Sequence, residues 1–184
     1  MTKDPFGDDA AEDFLSGGGV AAKWPKVGHV VEGTITGWSM AQINDYDTGE
    51  PAYRIGNKTV PESKLEPHQR ATAKPAVQLI LEIQGEPTGE TWEGNEYSRV
   101  ELPDDTGERL VYVKGSLQFA LKQALRAAGT KLEVGAHISI KREADGPKSN
   151  PKYGAPHRHS AVWTPAAQNA NAPAVVMGDD NPFA

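Results

Sequence analysis

Apolar and polar residues alternate over several short stretches of this chain, and over one stretch they recur with helical spacing. From Val27 to Trp38, the set His29, Val31, Gly33, Ile35 and Gly37 alternates with Val30, Glu32, Thr34, Thr36 and Trp38, which predicts a strand. Gly28 before it and glycines 33 and 37 within it predict a strong bend. A second strand is expected over Ala76–Gln84, where Val77, Leu79, Leu81 and Ile83 share a face. A third is expected over Glu108–Lys114, entered through the turn-like Asp104-Asp105-Thr106-Gly107, with a further short strand over Glu96–Leu102. From Ser116 to Ala128 the period changes. Leu117, Ala120, Leu121, Ala124, Leu125 and Ala128 form one apolar stripe of a helix, with Ser116 as its N-cap and Gly129 as its stop. Strands four and five follow over Ala136–Arg142 and His157–Thr164, separated by a Gly-, Pro- and Lys-rich loop over 144–156. Residues 44–75 are polar and carry four prolines. Their length points to a functional or partly disordered insertion.

Three strands, a helix and two more strands is the order of the OB-fold, a five-stranded Greek-key barrel with its helix between strands three and four. An open α+β sheet with one covering helix produces a similar string. The expected fold is therefore mainly β: an OB barrel over 24–165, a flexible acidic and Gly-rich arm over 1–23, and a disordered tail over 166–184. The apolar content of 38% in 184 residues suits one modest core with uncondensed ends.

The net charge of −6 argues at first against nucleic acid, but its distribution changes that reading. The arm carries −3 and the tail −2, whereas 24–165 has 17 Lys and Arg against 18 Asp and Glu, or −1. Such a body can hold a basic groove on one face. There is no cysteine, so disulfides and thiolate metal sites are excluded, in keeping with a reducing cytoplasm. No apolar run approaches the roughly 18 residues of a membrane span, and the N-terminus shows no signal-peptide pattern.

Single strands are bound by cations that follow the phosphates and by aromatic rings that stack on bases. Here the two kinds of residue are interleaved: Trp38; Tyr46, Tyr53 and Arg54; Trp92, Tyr97 and Arg99; Arg109, Tyr112 and Lys114; Lys141; Lys148, Lys152, Tyr153, Arg158 and Trp163. Structural readings compete with this one. Tyr112 lies between Val111 and Val113 and is either a stacking ring or core. Trp38 and Trp163 are either anchors or platforms. Trp92 has no apolar neighbours in sequence, which favours a ligand or interface role. His157 and His159 have same-face strand spacing, but a third metal ligand with supporting spacing is missing. Asp104-Asp105 reads as a turn rather than a catalytic pair. Neither a nucleophile elbow nor a phosphate-cradling loop occurs, so neither a catalytic residue nor a cofactor is expected.

The C-terminus ends in Gly178-Asp179-Asp180-Asn181-Pro182-Phe183-Ala184, after a charge-free tail rich in Ala, Asn and Pro. A lone ring beside two carboxylates suits an apolar pocket rimmed by cations. This tip after an OB-like body resembles bacterial and phage single-stranded DNA-binding proteins. Several segments resemble the versions carried by actinobacterial phages: Trp24-Pro25-Lys26-Val27-Gly28-His29, Val77-Gln78-Leu79, Gly107 to Gly115, and Ala124-Leu125-Arg126-Ala127-Ala128-Gly129. The resemblance covers 24–165 plus the tip. It implies a non-enzymatic protein that coats single-stranded DNA in replication or recombination, and it leaves self-association open. It also implies that Asp179, Asp180, Pro182 and Phe183 recruit replication or recombination proteins, in the host cytoplasm if a phage encodes the chain. In the bacterial family the Phe is terminal and its carboxylate is part of what partners grip, whereas here Ala184 follows it. The alternative from another class is a protein-interaction module, structural or for host takeover, without DNA binding. An enzyme subunit whose catalytic centre lies elsewhere is a third.

Overall fold

The computed structural model describes residues 20–45, 47–56, 58–94, 97–148 and 154–169. The chain is mainly β. Its large sheet has six strands: β1 (Val20–Ala21), β2 (Val30–Gln42), β6 (Val77–Gln84), β9 (Glu108–Val113), β10 (His137–Asp145) and β11 (His157–Thr164), in the order β1-β9-β6-β2-β10-β11. All neighbours are antiparallel except β1, which runs parallel to β9.

β2 is bent, as its glycines predict. Residues 30–34 pair with β10 and residues 34–42 with β6, with a register shift between Ile35 and Gly37. Gly33 is required where β2 crosses the end of β6, because a Cβ there would lie 2.5 Å from the Gln84 carbonyl oxygen. Alternating residues of the five long strands point inward. Ile35, Leu81, Ile83, Val111, Ile138 and Trp163 form the centre of the core, each burial worth about 1.5–3 kcal/mol.

The helix expected over Ser116–Ala128 is α2 (Ser116–Ala128), and it packs Leu117, Ala120, Leu121 and Ala124 into the core. Gly129, at φ 64, ends it in a Schellman arrangement: its N–H donates to the Arg126 carbonyl and that of Thr130 to Leu125. The N-cap is Gly115, not Ser116, because the Ser116 hydroxyl bonds across to β11 instead.

Among the described residues β9 and β11 are not paired, so the sheet does not close into a barrel. The N-terminal segment spans the gap. The Ala22 N–H donates to the Leu110 carbonyl of β9, and the Trp24 indole donates to the Ile140 carbonyl of β10 at 3.0 Å. The Trp24 ring meets His159 of β11 edge to face, 5.2 Å between centres. Residues 20–23, part of the expected arm, thus lie in the fold.

The insertion over 44–75 is ordered as a second sheet, β4-β3-β5, from β3 (Ala52–Ile55), β4 (Lys58–Pro61) and β5 (Lys74–Pro75), with a one-turn helix α1 (Pro67–Arg70). A hairpin of β7 (Glu90–Glu93) and β8 (Ser98–Glu101) lies between β6 and β9. β8 falls within the short strand expected over Glu96–Leu102. No helix among the described residues is long and apolar enough to cross a membrane.

Candidate nucleic-acid interface

The open edge between β9 and β11 forms a groove. Its cavity of about 410 Å³ is lined by Lys23, Trp24, Tyr97, Tyr112, Lys114, Ser116, His157 and His159, among others. Strand alternation supplies one wall: Val111 and Val113 are buried, so Tyr112 and Lys114 face outward, Tyr112 37% exposed. The β7–β8 hairpin supplies Tyr97, whose ring lies 6.4 Å from that of His157 at the start of β11. Tyr97 has φ 53, a left-handed conformation that costs a non-glycine residue about 1–2 kcal/mol. None of the described lining residues is a carboxylate, and neither lysine is ion-paired among the described residues.

The floor of the groove fixes a histidine tautomer. Ser116 donates its hydroxyl proton to the His157 carbonyl at 2.6 Å, and its Oγ lies 2.7 Å from His159 Nδ1. With the hydroxyl proton committed, Nδ1 is the donor, and Nε2 is left as a buried lone pair with no partner among the described residues. A second proton would put an unsatisfied cation there. Burial, followed by the nearby His157 and Arg142, therefore pushes the His159 pKa down to about 4. His157 is lowered too, chiefly by burial.

Asp105 holds the hairpin in place. One carboxylate oxygen accepts the N–H groups of Thr88 (2.7 Å) and Gly89 (3.1 Å) at the hairpin base, and the other accepts that of Gly107 at 2.9 Å. Arg109 closes the cluster with two 2.7 Å bonds to the same carboxylate. These donors hold the Asp105 carboxyl well below the usual range, with the Arg109 bonds foremost. Asp104-Asp105 is thus a turn, as its sequence implies, and its second carboxylate is structural.

Of the residues singled out in the sequence, the groove brings together Tyr97, Tyr112 and Lys114. Trp92 is half-buried on the other side of residues 21–23. It lies edge to face with His29 at 6.3 Å, in a smaller cavity of about 270 Å³ that Lys23 also lines. Arg99 pairs with Glu90, Lys141 with Glu143 at 2.9 Å, and Arg109 with Asp105. Arg158 is exposed on β11, and Lys148 is exposed beyond β10. Trp163 is core. Trp38 is half exposed on one face of β2 with Met40, outside the groove. Tyr53 and Arg54 lie on the insertion sheet. Tyr46, Lys152, Tyr153 and the tip residues Asp179, Asp180, Pro182 and Phe183 lie outside the described residues.

Lys23, Ser116, Trp24, His157 and His159 were not among the sequence candidates for this groove. The same-face spacing of His157 and His159 was the available signal, but it was weighed only as a metal pair, and set aside for want of a third ligand, not as a groove wall. A third cavity, of about 630 Å³, is a poor phosphate site. Glu32 and Glu86 line it with Thr34, Thr36, Gln84 and His137, and no Lys or Arg among the described residues does.

No protein-family model, curated protein or solved structure matches this chain.

Proposed function

We propose that this chain is a non-enzymatic single-stranded DNA-binding protein built on an OB-type sheet. The carrying observation is the groove at the open sheet edge. It presents two tyrosine rings, Tyr97 and Tyr112, beside two lysines, Lys23 and Lys114, that make no ion pair among the described residues, and none of its described lining residues is a carboxylate. Rings of this kind stack on bases of any sequence, and lysines that follow phosphates bind any strand. A base in a duplex is already stacked and paired, so the groove favours single strands. The pairing sequence β9-β6-β2-β10-β11, with α2 between the third and fourth of these strands in chain order, supports the OB reading. In that reading the N-terminal segment stands in for the missing closure. The tip at Asp179, Asp180, Pro182 and Phe183 would then recruit replication or recombination proteins. Intrinsic tryptophan fluorescence, titrated with oligo(dT) and with duplex of the same length, tests the proposal. Equal affinity for the two would favour the interaction-module reading instead.

A further inference from the structure

The insertion sheet carries a row of side chains that the groove does not explain. On its central strand β3, Arg54 lies directly opposite Thr59 of β4 and also directly opposite Lys74 of β5. Residues directly opposite on antiparallel strands share a face, with Cβ atoms about 4.5–5.5 Å apart. A hydroxyl, a guanidinium and an ammonium therefore stand in one exposed row across three strands. Two like charges placed this way destabilise a sheet unless an anion lies between them.

Three of the insertion's carboxylates, Asp45, Glu50 and Glu66, are engaged elsewhere. Asp45 accepts the N–H groups of Asp47 and Thr48 and the Thr48 hydroxyl. Glu50 accepts the Ser63 N–H, and Glu66 faces His68 at 3.3 Å. Among the described residues, neither Arg54 nor Lys74 has an ion-pair partner. A phosphodiester fits the row. Its two non-bridging oxygens, which share one negative charge, take the guanidinium and the ammonium, and the Thr59 hydroxyl supplies a third donor. The row is also within reach of the groove. Lys74 precedes Ile80 by six residues, at most about 20 Å of extended chain, and Ile80 pairs with Tyr112.

We infer that the row Thr59–Arg54–Lys74 is a second contact for a nucleic-acid backbone, holding phosphates of a single strand that leaves the groove. The inference rests on the single-strand reading of the groove and adds a separate, sequence-independent contact to it. The test compares wild type with Arg54→Gln, Lys74→Gln and the double variant, on oligo(dT) of about 4 and about 16 nucleotides, the span of site sizes for such folds. The short oligonucleotide, held by the groove alone, binds all four proteins equally. On the long one each substitution flattens the salt slope by about 0.7, and the double variant binds about tenfold more weakly at low salt. Thermal melting of the double variant at or above wild type confirms that only repulsion was removed from the sheet. If all four proteins bind the long oligonucleotide with one affinity and one slope, the row is not a phosphate contact, although the groove reading stands. If wild type binds neither length, the groove reading fails and this inference with it.

Discussion

Arg109 holds Asp105 with both terminal guanidinium nitrogens, each 2.7 Å from a carboxylate oxygen. The same carboxylate ties down Thr88 and Gly89, where the β7–β8 hairpin leaves the sheet, so the pair positions the hairpin that carries Tyr97 into the groove. Arg109→Ala should cost about 2–3 kcal/mol of stability, because it strips a carboxylate of its charged donor. DNA affinity should fall with the salt slope unchanged. A slope flatter by about 0.7 would instead mark a direct phosphate contact. Denaturant unfolding and titrations at two salt concentrations separate the two roles.

Tyr97 keeps its left-handed backbone at a cost. Tyr97→Gly relieves that strain and removes the ring. The expected result is stability equal to or above wild type with affinity for oligo(dT) lower by about 1–3 kcal/mol. Tyr97→Phe should bind as wild type does. A glycine variant that binds normally would place the ring outside the contact.

Tyr112 and Lys114 share a face but should act differently. Tyr112→Ala is expected to weaken binding by about 1–3 kcal/mol without changing the melting temperature, since the ring is exposed outside the core. Lys114→Ala should mainly reduce the salt slope, by about 0.7. A Tyr112 variant that melts early and binds normally once folded would show that the ring is structural.

His159 makes stability depend on pH. Its folded pKa of about 4 lies below the ordinary 6.5, so between those values the unfolded chain binds more protons than the folded one. Stability should be level above pH about 6.5 and decline as pH falls toward 4. His29 and His157, also lowered, act in the same direction. Melting curves of wild type and His159→Gln across this range should show a shallower decline in the variant. Identical declines would remove His159 as a source.

Much of the sheet could be read from the sequence, because its strands alternate clearly and α2 carries a clean apolar stripe. His157–Thr164 and Ser116–Ala128 were legible to the residue. The insertion was not. Its strands are two to four residues long, too short for a period to emerge, and prolines at Pro61 and Pro75 sit within the strands themselves. β7, Glu90–Glu93, was hidden for the same reason. Within the site, alternation put Tyr112 and Lys114 on one face of β9, but apolar neighbours on both sides left open whether that face was core, and only the burial of Val111 and Val113 turns it outward. The fate of Arg109 was not legible, because a carboxylate in a turn four residues earlier claims it. Lys23 entered the groove only because β1 pairs with β9, a contact between distant segments that local pattern does not encode.

The most direct test of the groove as a single-strand site is a fluorescence titration of the full chain with oligo(dT) and with a duplex of equal length, at low and moderate salt. The expected result is much tighter binding of the single strand, with affinity falling as salt rises by about 0.7 log units per log unit of salt for each phosphate contact. Equal affinity for duplex and single strand, or no binding at low salt, would contradict it.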